Sequence, residues 1–213
     1  MNITLDKKIL LRRTSINLVN ETFKKNKNWK ILDIGCGYTA NENANVIADV
    51  QDLSDFYKER NFIKINEKKL PFKDKEFDFV IASHVIEHVN DFQYFIKELE
   101  RISNKGYIEL PSRLGDNLVY ENKNDHVSWF IFDDVNNQLI ASKRNQLIDP
   151  FITVSTAKLF EKVFRESLVI ELAWEDKIEY IIDNQIRYEN FKKISFFKIL
   201  RKHLSKKIRS IFK

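Results

Sequence analysis

The chain has 213 residues and a formal net charge of +5, and 43% of its residues are hydrophobic, 13% aromatic and 31% charged. This length suits one α/β domain with small additions, and the apolar content excludes intrinsic disorder. The single cysteine, Cys36, excludes an internal disulfide and favours a reducing, cytoplasmic location; no signal peptide and no apolar run of roughly 20 residues is visible.

The first half of the chain alternates predicted helices and strands. Residues 5–25 are predicted as an amphipathic helix, because apolar residues recur there at helical spacing. Strands are predicted at 30–34, 46–50, 61–65, 77–82 and 107–110, and further helices at 53–60 and 91–103. This alternation implies a mainly parallel sheet with right-handed crossovers.

The second half is less regular. Two alternating runs, 129–133 and 138–142, flank a polar turn and predict a β-hairpin inserted after the fifth strand, within residues 112–152. A capped helix is predicted at 155–165. The final apolar runs, 168–174 and 178–182, are predicted to form an antiparallel C-terminal strand pair.

The C-terminal tail carries the basic charge. Residues 191–213 contain nine Lys and Arg and no acid, which leaves a net charge of −4 for residues 1–190. Apolar residues from Ile194 to Ile211 recur at three- and four-residue spacing, which is typical of an amphipathic helix on an anionic membrane. A helix docked on the body, or a solvated tail, is the alternative. We predict an α/β domain over 1–190 and a basic amphipathic tail over 191–213.

The strongest local motif is a Gly-x-Gly turn that closes an apolar strand, Ile31–Gly37. Glycines at Gly35 and Gly37 permit a tight turn and close approach of a ligand, although an ordinary turn is the alternative for an isolated motif. Asp33, just before the turn, can accept a hydrogen bond from a ligand ammonium group. Asp49 ends the next strand, where an acid can accept hydrogen bonds from both hydroxyls of a ribose.

Two further motifs follow in order. Leu70-Pro71-Phe72 precedes the segment Phe77–Val89, and Gly106 opens Tyr107–Pro111. Over about Trp29–Ser112 the chain therefore resembles the small-molecule branch of the class I S-adenosylmethionine-dependent methyltransferases. In that family a strand close to "VLDIGCG" binds the methionine portion of the cofactor and a strand-end acid binds its ribose. An "LPF…FD-V" segment and an "EHV" helix start come next.

The resemblance implies an α/β, Rossmann-like, mainly parallel seven-stranded sheet with S-adenosyl-L-methionine as cofactor. The implied cofactor contacts are the methionine end for Asp33, Gly35 and Gly37, the ribose for Asp49, the adenine for Val50 and Asn66, and the sulfonium region for Ser83. Asn66 departs from the family, which usually has an acid at this position.

Two other departures affect the glycine turn. Thr39 stands where the family has a third glycine, and only eight residues, 38–45, separate the turn from the second strand. Parallel strands usually need a dozen or more connecting residues. We therefore expect one irregular turn instead of a crossover helix, and a more exposed cofactor edge.

Three histidines are candidate catalytic residues: His84, His88 and His126. His84 and His88, with Glu87 between them, suggest general bases or metal ligands, the alternative being a cofactor contact or a hydrogen bond at a helix start. No cysteine or further histidine is placed in the sequence to complete a zinc site, so we predict no metal. His126 lies in the insertion, residues 112–152, which we predict to be a substrate lid. An imidazole there can take a proton from an acceptor hydroxyl, unless it is an ordinary exposed loop histidine.

The predicted function is S-adenosylmethionine-dependent methyl transfer, in particular O-methyl transfer, to a small or sugar-like acceptor. A lipid-linked or surface-glycan intermediate is preferred, because the tail would hold the enzyme at the anionic inner face of the membrane. An RNA or protein methyltransferase is one alternative, but the acidic body argues against nucleic acid as a partner. The other is a non-catalytic Rossmann-like partner subunit, which Thr39, Asn66 and the short crossover favour.

Overall fold

The computed structural model of the protein describes residues 10–66, 69–183 and 191–211. The strands are β1 (Leu11–Arg13), β2 (Ile31–Ile34), β3 (Val46–Asp49), β4 (Phe62–Lys64), β5 (Phe79–Ser83), β6 (Lys105–Pro111), β7 (Ser128–Asp133), β8 (Gln138–Lys143), β9 (Val169–Glu175) and β10 (Tyr180–Ile182). The α-helices are α1 (Ile16–Lys25), α2 (Phe92–Ile102), α3 (Arg113–Leu118), α4 (Asn122–Asp125), α5 (Val154–Leu168) and α6 (Phe196–Ile211). A short 3₁₀ helix covers Ile86–His88.

Seven strands form the main sheet, in the order β1-β9-β6-β5-β2-β3-β4. The five strands from β6 to β4 are parallel to their neighbours, and β9 is antiparallel to both β6 and β1. All residues of β2 and β3 are buried, as expected of apolar strands inside a parallel sheet. The predicted α/β fold with a mainly parallel seven-stranded sheet is confirmed. The carboxyl ends of β2, β5 and β6 lie side by side, which is where ligands bind in such sheets.

The predicted N-terminal helix is wrong in its first described part. Leu11–Arg13 form the edge strand β1, which pairs with the 172–174 stretch of β9, and the side chain of Leu11 is fully buried. Helix α1 begins only at Ile16, after Ser15, whose hydroxyl oxygen accepts a hydrogen bond from a backbone N–H of the first turn. Residues 5–9 lie outside the described residues. The open edge of β9 decides for a strand, since it offers unpaired backbone groups to this segment.

Two other predictions also need correction. The segment 53–60 forms successive turns instead of a helix, although Leu53 and Tyr57 are buried. The C-terminal runs do not pair with each other: β9 joins the main sheet, whereas β10 pairs in parallel with β8. The expected absence of a crossover helix over 38–45 is confirmed, because this loop contains only turns and bends.

The predicted hairpin is confirmed as β7 and β8, which form a three-stranded sheet with β10. Phe130 and Phe132 of β7 belong to the same buried cluster as Ile96 and Leu99 of α2. The ring of Phe92 packs edge-on against Phe130 at 5.4 Å. Each fully buried side chain of this size contributes about 1.5–3 kcal/mol to stability. The hairpin is therefore part of the main body of the protein.

The tail contains the predicted helix, α6. Its start is attached to the body, because Lys193 forms an ion pair of 2.6 Å with Asp149 and the Phe196 ring stacks on Phe151. Further along, Phe197 is 78% exposed and Leu204 is 48% exposed. The apolar stripe of α6 thus faces outward. No helix among the described residues is long and apolar enough to span a membrane.

Candidate active site

A cavity of about 950 Å³ lies at the carboxyl ends of β2, β5 and β6. Its lining includes seven of the predicted site residues: Asp33, Gly35, Gly37, Ser83, His84, His88 and His126. Helix α1, the inserted segment and α5 supply the remaining walls. Val50 and Asn66, predicted at the adenine, are exposed beside the sheet and are not among the residues that line the cavity.

The glycine turn has the backbone conformation that its sequence predicts. Gly35 and Gly37 have φ values of +68° and +49°, in the left-handed region that favours glycine. A Cβ atom on Gly35 would lie 2.3 Å from a methyl carbon of Val85, whereas a Cβ on Gly37 would meet no described atom within 4 Å. The turn is therefore tightly packed at Gly35 and open to a ligand at Gly37.

Hydrogen bonds replace the missing crossover helix. The hydroxyl of Tyr57 donates to the carbonyl of Gly37 at 2.9 Å and accepts from the N–H of Ala40 at 3.0 Å. Arg60 donates to the carbonyls of Asn41 and Ala44, both at 2.8 Å. Tyr57 and Arg60, which the sequence did not single out, therefore tie the short loop to the following segment.

Two buried carboxylates, Asp33 and Asp49, accept hydrogen bonds from the loop that contains the glycine turn. Asp33 accepts a hydrogen bond of 2.7 Å from the N–H of Asn41. Burial raises the pKa of Asp33 to about 6, although this hydrogen bond and the charge of Arg60 act in the opposite direction. Asp49 accepts from the N–H of Gly37 at 2.9 Å. Asp49 itself is not among the cavity-lining residues, but this bond places it directly beside the turn.

We expect cofactor affinity to depend on pH through Asp33. Its carboxylate would attract the ammonium group of S-adenosylmethionine, and protonation removes that charge. Affinity should therefore fall as the pH is lowered through about 6. Isothermal titration with S-adenosylhomocysteine between pH 5 and pH 8 measures this, and Asp33→Asn should give a weaker, nearly pH-independent affinity. The same pH dependence in Asp33→Asn would assign the effect to another group.

Asp49→Ala should weaken binding of both S-adenosylmethionine and S-adenosylhomocysteine. The lost charge-assisted hydrogen bonds contribute about 1.5–3 kcal/mol, which corresponds to roughly 10- to 100-fold in affinity. Asp52→Ala is the matched control, because Asp52 is exposed in the same segment and bonds to Ser54. Equal affinities of the two variants would contradict the assignment of Asp49 to the ribose.

His84 is held between two carboxylates. Its Nδ1 lies 3.2 Å from Glu87 Oε1 and its Nε2 lies 3.1 Å from Glu109 Oε1. Burial lowers the pKa of His84, but these two hydrogen bonds and charges raise it to about 10. The two carboxylates therefore favour the protonated imidazole, in which both ring nitrogens are donors. A role of His84 as a general base stays a prediction, which this arrangement of charges does not favour.

The charge array continues beyond His84. Glu109 accepts hydrogen bonds of 2.6 Å from the hydroxyl of Tyr107 and from Arg165, which also contacts Glu171 at 3.0 Å. Burial raises the pKa of Glu109, but His84, Tyr107 and Arg165 together hold it below its usual value. Glu109 was not predicted as a site residue, although an acid inside the apolar run Tyr107–Leu110 is a signal in the sequence.

His126 forms a buried pair with Asp116, a residue that sequence analysis missed. Nδ1 of His126 lies 2.5 Å from Asp116 Oδ1, and the other oxygen of Asp116 accepts hydrogen bonds from Trp129 at 2.6 Å and Arg144 at 2.8 Å. A carboxylate on Nδ1 keeps the proton there and leaves Nε2 as an acceptor. The ring of His88 packs edge-on against the ring of His126, with the centroids 4.5 Å apart. Burial lowers the pKa of His88. Asp116 thus fixes the orientation of the His126 ring.

Comparisons with known proteins agree with the fold and the glycine turn. Residues 32–108 match a family model described as a methyltransferase domain. An uncharacterized protein of Methanocaldococcus jannaschii is 32% identical over 119 residues, which are 50% of each chain. A ubiquinone biosynthesis O-methyltransferase of Pelagibacter ubique is 31% identical over 115 residues, 47% of this chain and 48% of that protein. The chain thus spans about half the length of the curated relatives it matches.

Solved structures with detectable similarity include a protein of Pyrococcus horikoshii OT3, with 19% identity, coverage of 75% of this chain and 88% of that chain, and a TM-score of 0.44. An S-adenosylmethionine-dependent methyltransferase from Aquifex aeolicus has 13% identity, coverage of 74% and 87%, and a TM-score of 0.39.

The parallel sheet, the glycine turn at its carboxyl edge and the matched segment are those of a class I S-adenosylmethionine-dependent methyltransferase domain. The family match covers residues 32–108, and the cofactor of this domain is S-adenosylmethionine. The residues present fit this group, since a Cβ on Gly37 would meet open space, Asp49 accepts a hydrogen bond from the N–H of Gly37, and Asp33 lines the same cavity.

Proposed function

We propose that the protein transfers a methyl group from S-adenosylmethionine to a hydroxyl oxygen of a small or sugar-like acceptor. The observation that carries this proposal is the pair of Asp116 and His126, because His126 lines the same cavity as the glycine turn and the buried Asp116 fixes its ring. When bound, S-adenosylmethionine supplies the methyl group on a sulfonium leaving group, so the products are the methyl ether and S-adenosylhomocysteine. The hydroxyl proton passes to Nε2 of His126 and then to solvent.

The other residues of the cavity wall do not react with the substrate; they position the reacting groups and exclude water. Asp116 holds the imidazole of His126 in one tautomer and stabilises its protonated form. His84, fixed between Glu87 and Glu109, keeps a positive charge in place at the end of β5. Such preorganised charges need no rearrangement during the reaction. This division of roles supports a reaction that depends mainly on alignment and water exclusion.

The inserted segment, residues 112–152, is proposed as the substrate lid of a methyltransferase domain that spans residues 1–190. It supplies Gly115, Asn122 and His126 to the cavity lining. The polar side chains of Asn122 and His126, together with Asn17 of α1, suit an acceptor that carries several hydroxyls. The C-terminal end of this proposed domain, residues 184–190, lies outside the described residues.

We also propose that α6 brings the enzyme to a lipid-linked or surface-glycan acceptor at an anionic membrane on the cytoplasmic side. Membrane attachment through α6 is supported by the exposed side chains of Phe197 and Leu204 and by the surrounding basic residues. The mildly acidic body does not favour nucleic acid as a partner. The Pelagibacter ubique relative is named as an O-methyltransferase, and this supports transfer to oxygen.

Methyl-labelled S-adenosylmethionine tests the proposed function directly. The full chain is incubated with a polyprenyl-linked saccharide, the same saccharide without the lipid, an RNA and a protein extract. Label in an alkali-stable methyl ether of the saccharide supports the proposal. Label in RNA or protein instead would favour that alternative, and failure to bind S-adenosylhomocysteine would favour a non-catalytic partner subunit.

The tail should bind vesicles that contain anionic lipid and release partly at high salt. Basic residues near such a surface contribute about 1 kcal/mol each, and salt screens this attraction. Phe197→Asp combined with Leu204→Asp should weaken binding even at low salt, because the apolar stripe is lost. Co-sedimentation measures the effect, with Val135→Asp as control, since Val135 is 87% exposed in the hairpin turn. Binding of the double variant as tight as that of the control would exclude the apolar stripe as a membrane contact.

A further inference from the structure

Glu87 and His88, which are neighbours in the sequence, meet His126 of the inserted segment beside the cavity. One potential ligand atom from each of Glu87, His88 and His126 lies within 4.8 Å of the other two. Glu87 is completely buried, and its Oε2 has no hydrogen-bond partner among the described residues. A buried carboxylate oxygen without a partner costs free energy, and a bound ion is a known explanation for such a group. The orphaned oxygen therefore points to a cation.

The ring of His88 lies beside that of His126, with the ring centroids 4.5 Å apart. His126 uses Nδ1 for Asp116, which leaves its Nε2 for another partner. Metal-binding histidines almost always use their second nitrogen in this way, on a carboxylate or a backbone carbonyl.

We propose that Glu87, His88 and His126 bind one divalent transition-metal cation of the zinc, cobalt or manganese type. Two imidazoles and one carboxylate are a known three-ligand set for catalytic metals, whereas magnesium prefers oxygen ligands. Bonds of about 2.1 Å require the ligand atoms to approach each other to roughly 3–3.5 Å, so the side chains must rotate slightly on binding. His88 and His126 line the cavity, which leaves the open coordination positions facing it.

This inference departs from the expectation of no metal, which rested on the linear sequence alone. The fold brings His126 from the inserted segment to the end of β5, where Glu87 and His88 lie. Cation binding is independent of the proposed methyl transfer, but its catalytic use rests on that function. A cation there would lower the pKa of an acceptor hydroxyl. His126 would then act as a ligand in place of a base.

Cobalt(II) is the probe for this site, because its visible absorption reports the coordination geometry. Full-length protein freed of metal by chelator and dialysis should bind one Co²⁺ per chain, which Zn²⁺ displaces and Mg²⁺ does not. Glu87→Gln and His88→Ala should each weaken Co²⁺ binding at least about tenfold, since even partners of the ligands contribute 10- to 100-fold. His203→Ala is the control, because His203 is exposed on α6 and should change nothing.

Two results would overturn the inference: no Co²⁺ absorption in the wild type, or unchanged binding in both ligand variants. Far-UV circular dichroism and thermal unfolding of each variant verify that it is folded. For the wild type alone, Zn²⁺ should also raise the melting temperature, as any ligand of the native state does. Co²⁺ binding without methyl transfer would leave the metal site standing and remove the proposed function. Methyl transfer that resists chelators, without Co²⁺ binding, would do the reverse.

Discussion

Replacing His126 by alanine should lower turnover by about 10²–10⁴-fold, the usual contribution of a positioned proton acceptor. Affinity for S-adenosylhomocysteine should stay nearly unchanged, because His126 belongs to the inserted segment and not to the glycine turn. Steady-state kinetics with labelled cofactor and isothermal titration measure the two quantities. The effect is expected whether His126 is a base or a metal ligand, and sensitivity of the wild type to chelators separates these roles.

His84→Ala is the comparison for His126→Ala. His84 lies at the end of β5 with φ of +55°, near the expected sulfonium position, and its loss leaves Glu87 and Glu109 without their shared cation. This variant should therefore lower cofactor affinity as well as turnover. An equal loss of cofactor affinity in both variants would contradict the division of roles between the two histidines.

Gly35→Ala should abolish measurable cofactor binding and destabilise the protein. Alanine in the left-handed region costs about 1–2 kcal/mol, and its Cβ would also lie 2.3 Å from Val85, a stiff β-branched side chain. Overpacking of this kind costs typically 1–3 kcal/mol, so a total of about 2–5 kcal/mol is expected. Thermal unfolding and titration with S-adenosylhomocysteine measure both effects.

Gly37→Ala is the matched variant two residues further on. Its Cβ would meet no described atom within 4 Å, so only the backbone cost of about 1–2 kcal/mol applies to the free protein. We expect a small loss of stability and a larger loss of cofactor affinity, because the new methyl group enters the ligand's space. If Gly35→Ala proved as stable as Gly37→Ala, the close contact with Val85 would be refuted.

The sequence by itself determined the features that depend on neighbouring residues. The apolar runs of β2, β3 and β5 are recognisable because strands buried on both faces need no alternation. Gly35 and Gly37 mark the turn, since few other residues adopt positive φ. The lack of a crossover helix followed from the eight residues of the loop. These features were sufficient to place Asp33, Ser83 and His84 at one cavity.

Only the tertiary structure decided which distant segments meet. Leu11–Arg13 form a strand because β9 offers a free edge. The strand β10, which was expected to pair with β9, pairs with β8 instead. Asp116 and Glu109 were missed, because an isolated acid in the sequence does not reveal which cation or imidazole it will contact. The cluster of Glu87 with His126 likewise depends on how the inserted segment packs on β5. Pairings of this kind are fixed by long-range contacts, for which local spacing carries no information.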